Sequence, residues 1–280
     1  MVRIIADTTS SLTLEMARQL GVDFFPQIIN FGDESYRDDT ELDTATFLAK
    51  LKAASTLPKT AAPPPALYTP VFQKLTESGD SAVVICPSGE VSGTVRSATV
   101  AAQDFPNTDI RVIDTRTIAT GLGSIVKQAV KWAADGLSTD EIVAKVENMA
   151  SRERVYFMVD TLEHLYKGGR IGGAQMLFGS ILQVKPILTL KNGRIEPVES
   201  QRTKRRALDR MKEIILAECP QSPEAHLTVM HGDNVDEALA FADELKQALG
   251  IPEIPIYLLP SAILVHAGPK VFGVSFFVQE

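Results

Sequence analysis

Short apolar runs of strand length alternate with stretches of helical periodicity through the first half of the chain. Two strands joined through a helix run parallel, because the crossover carries the chain back to its starting edge. A parallel sheet needs cover on both faces, so this pattern confines the half to an α/β layered lobe. Strands are predicted at residues 2–6, 23–29, 82–86 and 110–113, and helices at 12–20, 94–104 and 118–134. Residues 59–70, KTAAPPPALYTP, carry four prolines and read as a rigid loop, non-helical up to about Pro65.

The second half mixes hairpins with helices. A helix at 139–151 precedes a strand at 155–159. Strands at 184–190 and 194–199 flank Asn192-Gly193, the strongest short hairpin signal. Helices are predicted at 204–217 and 235–249, and strands at 227–230, 254–258, 262–266 and 271–278. The fold class is therefore α/β with two lobes: a parallel-sheet lobe over 1–150 and an α+β lobe over 151–280.

At 280 residues, 45% hydrophobic and 22% charged, the chain can bury a sizeable core without staples. A net charge of −7 argues against a general nucleic-acid binder, which needs cations in excess. One local basic patch stands out at Arg202, Lys204, Arg205 and Arg206. Cys86 and Cys219 lie far apart and in no CxxC pair, so neither a disulfide framework nor a zinc site is expected. No run of 18 apolar residues spans a membrane, and MVRIIADTTSS is unlike a signal peptide, so a cytoplasmic location is expected.

Four loops collect small polar residues after strand-like runs, where parallel sheets bind ligands beside helix N-termini. They are Asp7 to Ser11, Lys59 to Pro63, Ser88 to Thr94, and Val265 to Pro269. Each has a plain structural alternative: a helix cap for the first, a helix start for Ser92-Gly93-Thr94, a packed histidine for His266. An acyl hydrolase or esterase using Ser92 with His266 and Asp7 or Asp114 is one reading, but the serine sits in EVSGT and lacks the GxSxG elbow. The four histidines show no metal-ligand spacing, and the phosphate motifs GxxxxGK[ST] and GxGxxG are absent. Hydroxyls with one imidazole and no activating base suit holding an oxyanion. A further feature is Arg170, framed by Gly168, Gly169, Gly172 and Gly173, which reads as a shaped turn holding a charge.

Eight segments, taken in order, resemble the DegV family across nearly the whole chain. They are IIADTTSSL, KTAAP, VSGTVRSA, VIDTRTIATGLG, LEHLYKGGRI, LQVKPILTLKNGRI, ESQRTKRRAL and VHAGPKVFGV. The resemblance extends to the fatty-acid-binding carrier subunit of bacterial fatty acid kinase (FakB-type). It implies two α/β lobes and one bound long-chain fatty acid, with no other cofactor and no metal. Its carboxylate would be held by Thr60, Ser92 and His266. Arg170 and Arg202 would contact an ATP-dependent fatty acid kinase subunit or the acyl phosphate. The protein would then be a carrier without catalytic residues of its own, in transient contact with membranes. Carriage or sensing of another amphiphile is the alternative. The sequence departs from the family at Ala61, Ala62 and Lys270, and places Glu90 beside the carboxylate loop.

Overall fold

The computed structural model describes residues 1–179 and 184–279. Two compact units emerge: Met1–Ser151 with Pro260–Ala262, and Arg152–Leu259 with Ile263–Glu280.

The first unit is built on a four-stranded parallel sheet. Its strands are β1 (Val2–Asp7), β2 (Asp23–Phe25), β6 (Ser81–Cys86) and β7 (Ile110–Asp114), in the order β2-β1-β6-β7. The strands β1 and β6 are apolar on alternate residues of both parities. Ile5, Val84 and Cys86 meet Tyr68 and Phe72 of α3 (Pro65–Ser78) and Ala98 and Ala101 of α4 (Thr94–Ala102). Ile4, Val83 and Ile85 are equally buried and point the other way, the side covered by α5 (Ala119–Ala134) and α6 (Thr139–Ser151). The helix α1 (Leu14–Leu20) is capped by Thr13, whose hydroxyl accepts the Met16 N–H.

An antiparallel arm interrupts this α/β pattern. It joins β3 (Ile28–Phe31), β4 (Glu34–Arg37) and β5 (Lys59–Ala61) in the order β4-β3-β5, with α2 (Thr44–Ala53) between β4 and β5. The predicted strand at 23–29 is split here, because Pro26 cannot donate to a ladder and the chain changes sheet. Helix α2 has no counterpart among the predicted helices: Asp43 caps it, yet of its residues only Phe47 is buried.

The second unit carries a six-stranded mixed sheet. In chain order its strands are β8 (Glu153–Met158), β9 (Lys185–Lys191), β10 (Arg194–Gln201), β11 (Thr228–His231), β12 (Ile256–Leu258) and β13 (Phe272–Phe277). The sheet order is β10-β9-β8-β13-β11-β12, antiparallel except for the β11–β12 pair. Between β8 and β9 lie the short helix α7 (Glu163–Lys167) and a 3-10 segment, Gly172–Leu177. The hairpin turn has Asn192 at φ 53° and Gly193 at φ 80°, the left-handed pair a two-residue turn demands. Helices α8 (Lys204–Glu218) and α9 (Val235–Leu249) lay Met211, Ile215, Phe241 and Leu245 on Val229, Phe272 and Phe276. The two-lobed α/β fold class expected from the sequence is the one observed.

One element corrects the sequence reading. Residues 262–266 are not a strand but part of α10 (Ser261–Ala267). A short apolar run reads equally as strand or buried helix. Two things decide for helix: Pro260 before the first turn, and the Asp38 carboxylate, whose Oδ2 accepts the Ala262 N–H at 3.2 Å. Part of the LQVKPILTLKNGRI motif, residues 182 and 183, lies outside the described residues.

Candidate functional site

Three of the four parallel strands of the first unit, β1, β6 and β7, run into polar loops at their carboxyl ends. After β1 the chain makes a single 3-10 turn, Thr8–Ser10, rather than entering the predicted helix at 12–20 directly. Asp7 caps that turn and is 1% exposed. Its Oδ1 accepts the Thr9 N–H at 2.8 Å and also the Thr9 hydroxyl. Its Oδ2 accepts Gln27 Nε2–H at 2.8 Å and the Thr94 hydroxyl at 2.7 Å. Burial raises the Asp7 carboxyl above its ordinary value, and the four donors offset part of that.

Thr94 links this buried carboxyl to a predicted site residue. The Thr94 and Ser92 hydroxyls are 3.0 Å apart, and Ser92 Oγ also accepts the Thr94 N–H at 3.3 Å. Gln27 Nε2 bonds Thr94 Oγ1 at 2.9 Å, and the Gln27 N–H is received by Thr8 Oγ1 at 3.1 Å. Ser92 is half-buried at the start of α4. The loop bearing Thr60 lies against it: a Cβ on Gly93 would rest 3.5 Å from the Ala62 Cβ, and the Ser97 hydroxyl donates to the Pro63 carbonyl. Thr60 itself is half-buried in β5, opposite Ile29 of β3. Two of the predicted residues, Thr60 and Ser92, therefore sit on neighbouring loops of one unit. Glu90 is exposed.

The hydrolase reading finds no activated serine in this unit. Ser92 Oγ is engaged by Thr94 at both its N–H and its hydroxyl. Asp114 receives the backbone N–H groups of Gly89 and Arg116. Asp7 orients threonines and a glutamine, not an imidazole.

In the second unit His266 and Arg170 come together. A Cβ on Gly168 would run into His266 Nδ1, so the glycine lets the imidazole lie on the turn. Gly268 packs in the same way on the ring of His164, whose Nδ1–H donates to the Val265 carbonyl at 3.2 Å. Arg170 closes the turn through a bond from Nη1 to the Gly168 carbonyl at 2.6 Å. Burial first, then the charges of Arg170 and His164, push the His266 imidazole down to about 4. At neutral pH it is an uncharged ring with one N–H to give. The shaped turn expected around Arg170 is thus present, closed by Arg170 itself. Arg202 is exposed at the end of β10, beside the α8 cap Thr203, and Lys270 is also exposed.

Sequence reasoning missed Gln27 and Asp38 as polar-core residues. Burial raises Asp38 to about 6, opposed chiefly by the Ala262 N–H and the Thr8 hydroxyl. Arg37-Asp38-Asp39 reads locally as a solvated charge run, and Gln27 lies in a strand-like one, so no local signal marked them. Among the described residues no cluster of three His, Cys, Asp or Glu could hold a metal, and no helix is long and apolar enough to cross a membrane.

A family model, described as an uncharacterised protein of the DegV family, matches residues 1–279. The chain belongs to the DegV family. A DegV domain-containing protein of Streptomyces coelicolor is 36% identical over 275 residues, covering 98% of this chain and 97% of its own length. A DegV family protein from Thermus thermophilus, reported for its fatty acid binding, superposes with a TM-score of 0.87 at 30% identity, over 99% of each chain. DegV of Bacillus subtilis, described as a fatty acid binding protein, does so with 0.88 at 30%, again over 99% of each chain.

Proposed function

We propose that this DegV protein binds a long-chain fatty acid and presents its carboxylate to an ATP-dependent kinase subunit for acyl-phosphate formation. The observation that carries the reading is the apposition of the Thr60 and Ser92 loops at the carboxyl end of a parallel sheet. Family membership and the two fatty-acid-binding relatives support it. A carboxylate leaving water needs donors, and hydroxyls at a helix start can supply them. His266 enters on the family resemblance and on its own surroundings, which keep the ring neutral and able to donate.

The acyl tail dominates the energetics. At about 0.8 kcal/mol per buried methylene, some fourteen of them contribute roughly 11 kcal/mol before ordering and association costs. Each head-group hydrogen bond to a charged group adds about 1.5–3 kcal/mol. The tail then sets affinity and the hydroxyls set orientation. Arg170 and Arg202 are assigned to the incoming kinase or the acyl phosphate, both suited to guanidinium.

Displacement of a fluorescent fatty acid tests the assignment. Ser92→Ala and Thr60→Val are each expected to weaken binding about tenfold to a hundredfold with unchanged thermal stability. Wild-type affinity in both variants would remove these hydroxyls from the site.

A further inference from the structure

Counting protons along the Asp7–Thr94–Ser92 chain shows what Ser92 can offer a ligand. Each hydroxyl has one proton to give and two lone pairs. When Asp7 is ionised, its Oδ2 takes the Thr94 proton, across 2.7 Å. Thr94 Oγ1 then has only lone pairs left: one receives Gln27 Nε2–H at 2.9 Å, the other the Ser92 hydroxyl at 3.0 Å. Ser92 has no proton left and turns a lone pair toward any ligand, which repels a carboxylate. When Asp7 is neutral, every bond reverses. Asp7 donates to Thr94, Thr94 to Ser92, and Ser92 to the ligand.

We propose that Asp7, acting through Thr94, sets the donor direction of Ser92, so that Asp7 and a bound carboxyl group share one proton. This rests on Ser92 facing the head group, as assigned above. Asp7 is a positioning residue here, since it acts only through Thr94. Without ligand, the four donors on Asp7 favour its charged form, against the burial that raises it. Binding of a carboxylate brings a second negative charge to the half-buried end of a hydroxyl chain whose other end is the buried Asp7, and like charges disfavour one another. The balance is simple: one proton leaves solvent for Asp7 Oδ2, the Thr94 hydroxyl swings from Asp7 to Ser92, and the Ser92 hydroxyl swings from Thr94 to the ligand.

The other titratable groups around Asp7 leave it as the acceptor of that proton. Tyr68 of α3 and Cys86 of β6 both feel its charge, and burial raises both, so both are neutral at pH 8.5. Asp38 adjoins the network through Thr8 and titrates near 6, so it is already ionised at that pH.

Calorimetry of oleate binding at pH 8.5, in two buffers of different ionisation enthalpy, counts the protons. Wild type is expected to take up protons, up to one per oleate, with affinity falling as pH rises. Thr94→Val keeps Asp7 but cuts the chain, and Asp7→Asn supplies a permanent donor; both are expected to bind oleate with little proton uptake and a flat pH profile. Thr94→Val carries the test by itself if Asp7→Asn does not fold. No uptake in wild type, or uptake that survives in Thr94→Val and so arises at another group such as His266, overturns the relay while leaving fatty-acid binding in place. Failure of wild type to bind oleate at all overturns the carboxylate assignment and the relay with it.

Discussion

Gly168→Ala is the sharpest single perturbation of His266, the imidazole assigned above to the proposed carboxylate contact. Gly168 follows α7 with φ −77°, a conformation alanine adopts freely, so the backbone itself is not strained by the change. The damage is steric. The new methyl would overlap His266 Nδ1 and sit 2.9 Å from the His164 carbonyl oxygen. Ordinary contact needs about 3.5 Å or more, so the imidazole must retreat by roughly an ångström. A hydrogen bond displaced that far is lost, and one to a carboxylate is worth about 1.5–3 kcal/mol. Fatty-acid affinity is therefore expected to fall about tenfold to a hundredfold, matching His266→Ala, and the double variant should be no worse than either alone. Displacement of a fluorescent fatty acid, with a thermal melt for each protein, measures this. Wild-type affinity in a folded Gly168→Ala protein would refute the packing, the role of His266, or both.

Four further outcomes follow from the same physics. Burial raises Glu153 to about 8 while Ser275 Oγ donates to it at 2.9 Å; a raised carboxyl stabilises fully below its unfolded value of about 4.5, and that stability is lost as pH climbs through 8. Glu153→Gln should therefore stabilise the protein at pH 9 by about 2–4 kcal/mol and change little at pH 4.5, read by denaturant melts at both. The depressed His266, near 4 against 6.5, works in the opposite sense: its contribution is present above pH 6.5 and is lost as pH falls toward 4, so His266→Gln should remove about 2–3 kcal/mol of acid destabilisation. Gly172 sits at φ 55° with Ile195 backbone where a Cβ would go, so Gly172→Ala should cost about 3 kcal/mol or more, seen as a fall in Tm. Arg170→Ala should leave fatty-acid affinity within about twofold while slowing acyl-phosphate formation by a partner kinase; equal loss of both would make Arg170 part of the lipid site.

Much of the fold was legible because its determinants are local. The alternation of strands and helices gave the parallel lobe. Asn192-Gly193 gave a hairpin that needs two left-handed residues, and Thr139–Ser151 and Val235–Leu249 have the bounds their periodicity predicts. What was not legible depends on partners distant in sequence. The segment Ser261–Ala267 is helical in part because a carboxylate more than two hundred residues earlier receives its Ala262 N–H. Helix α2, in which only Phe47 is buried, and the sheet change at Pro26 carry no amphipathic signature. The candidate site divides in the same way. Ser92, Thr94 and Thr60 stand in motifs, whereas Gln27 becomes informative only when folding brings it to Asp7 and Thr94.

Native mass spectrometry of the purified protein, with the bound species extracted and identified, tests the central claim most directly. The expected spectrum carries one long-chain fatty acid per chain, removable by delipidation and restored by adding oleate. A lipid-free mass that takes up no fatty acid on addition would contradict it.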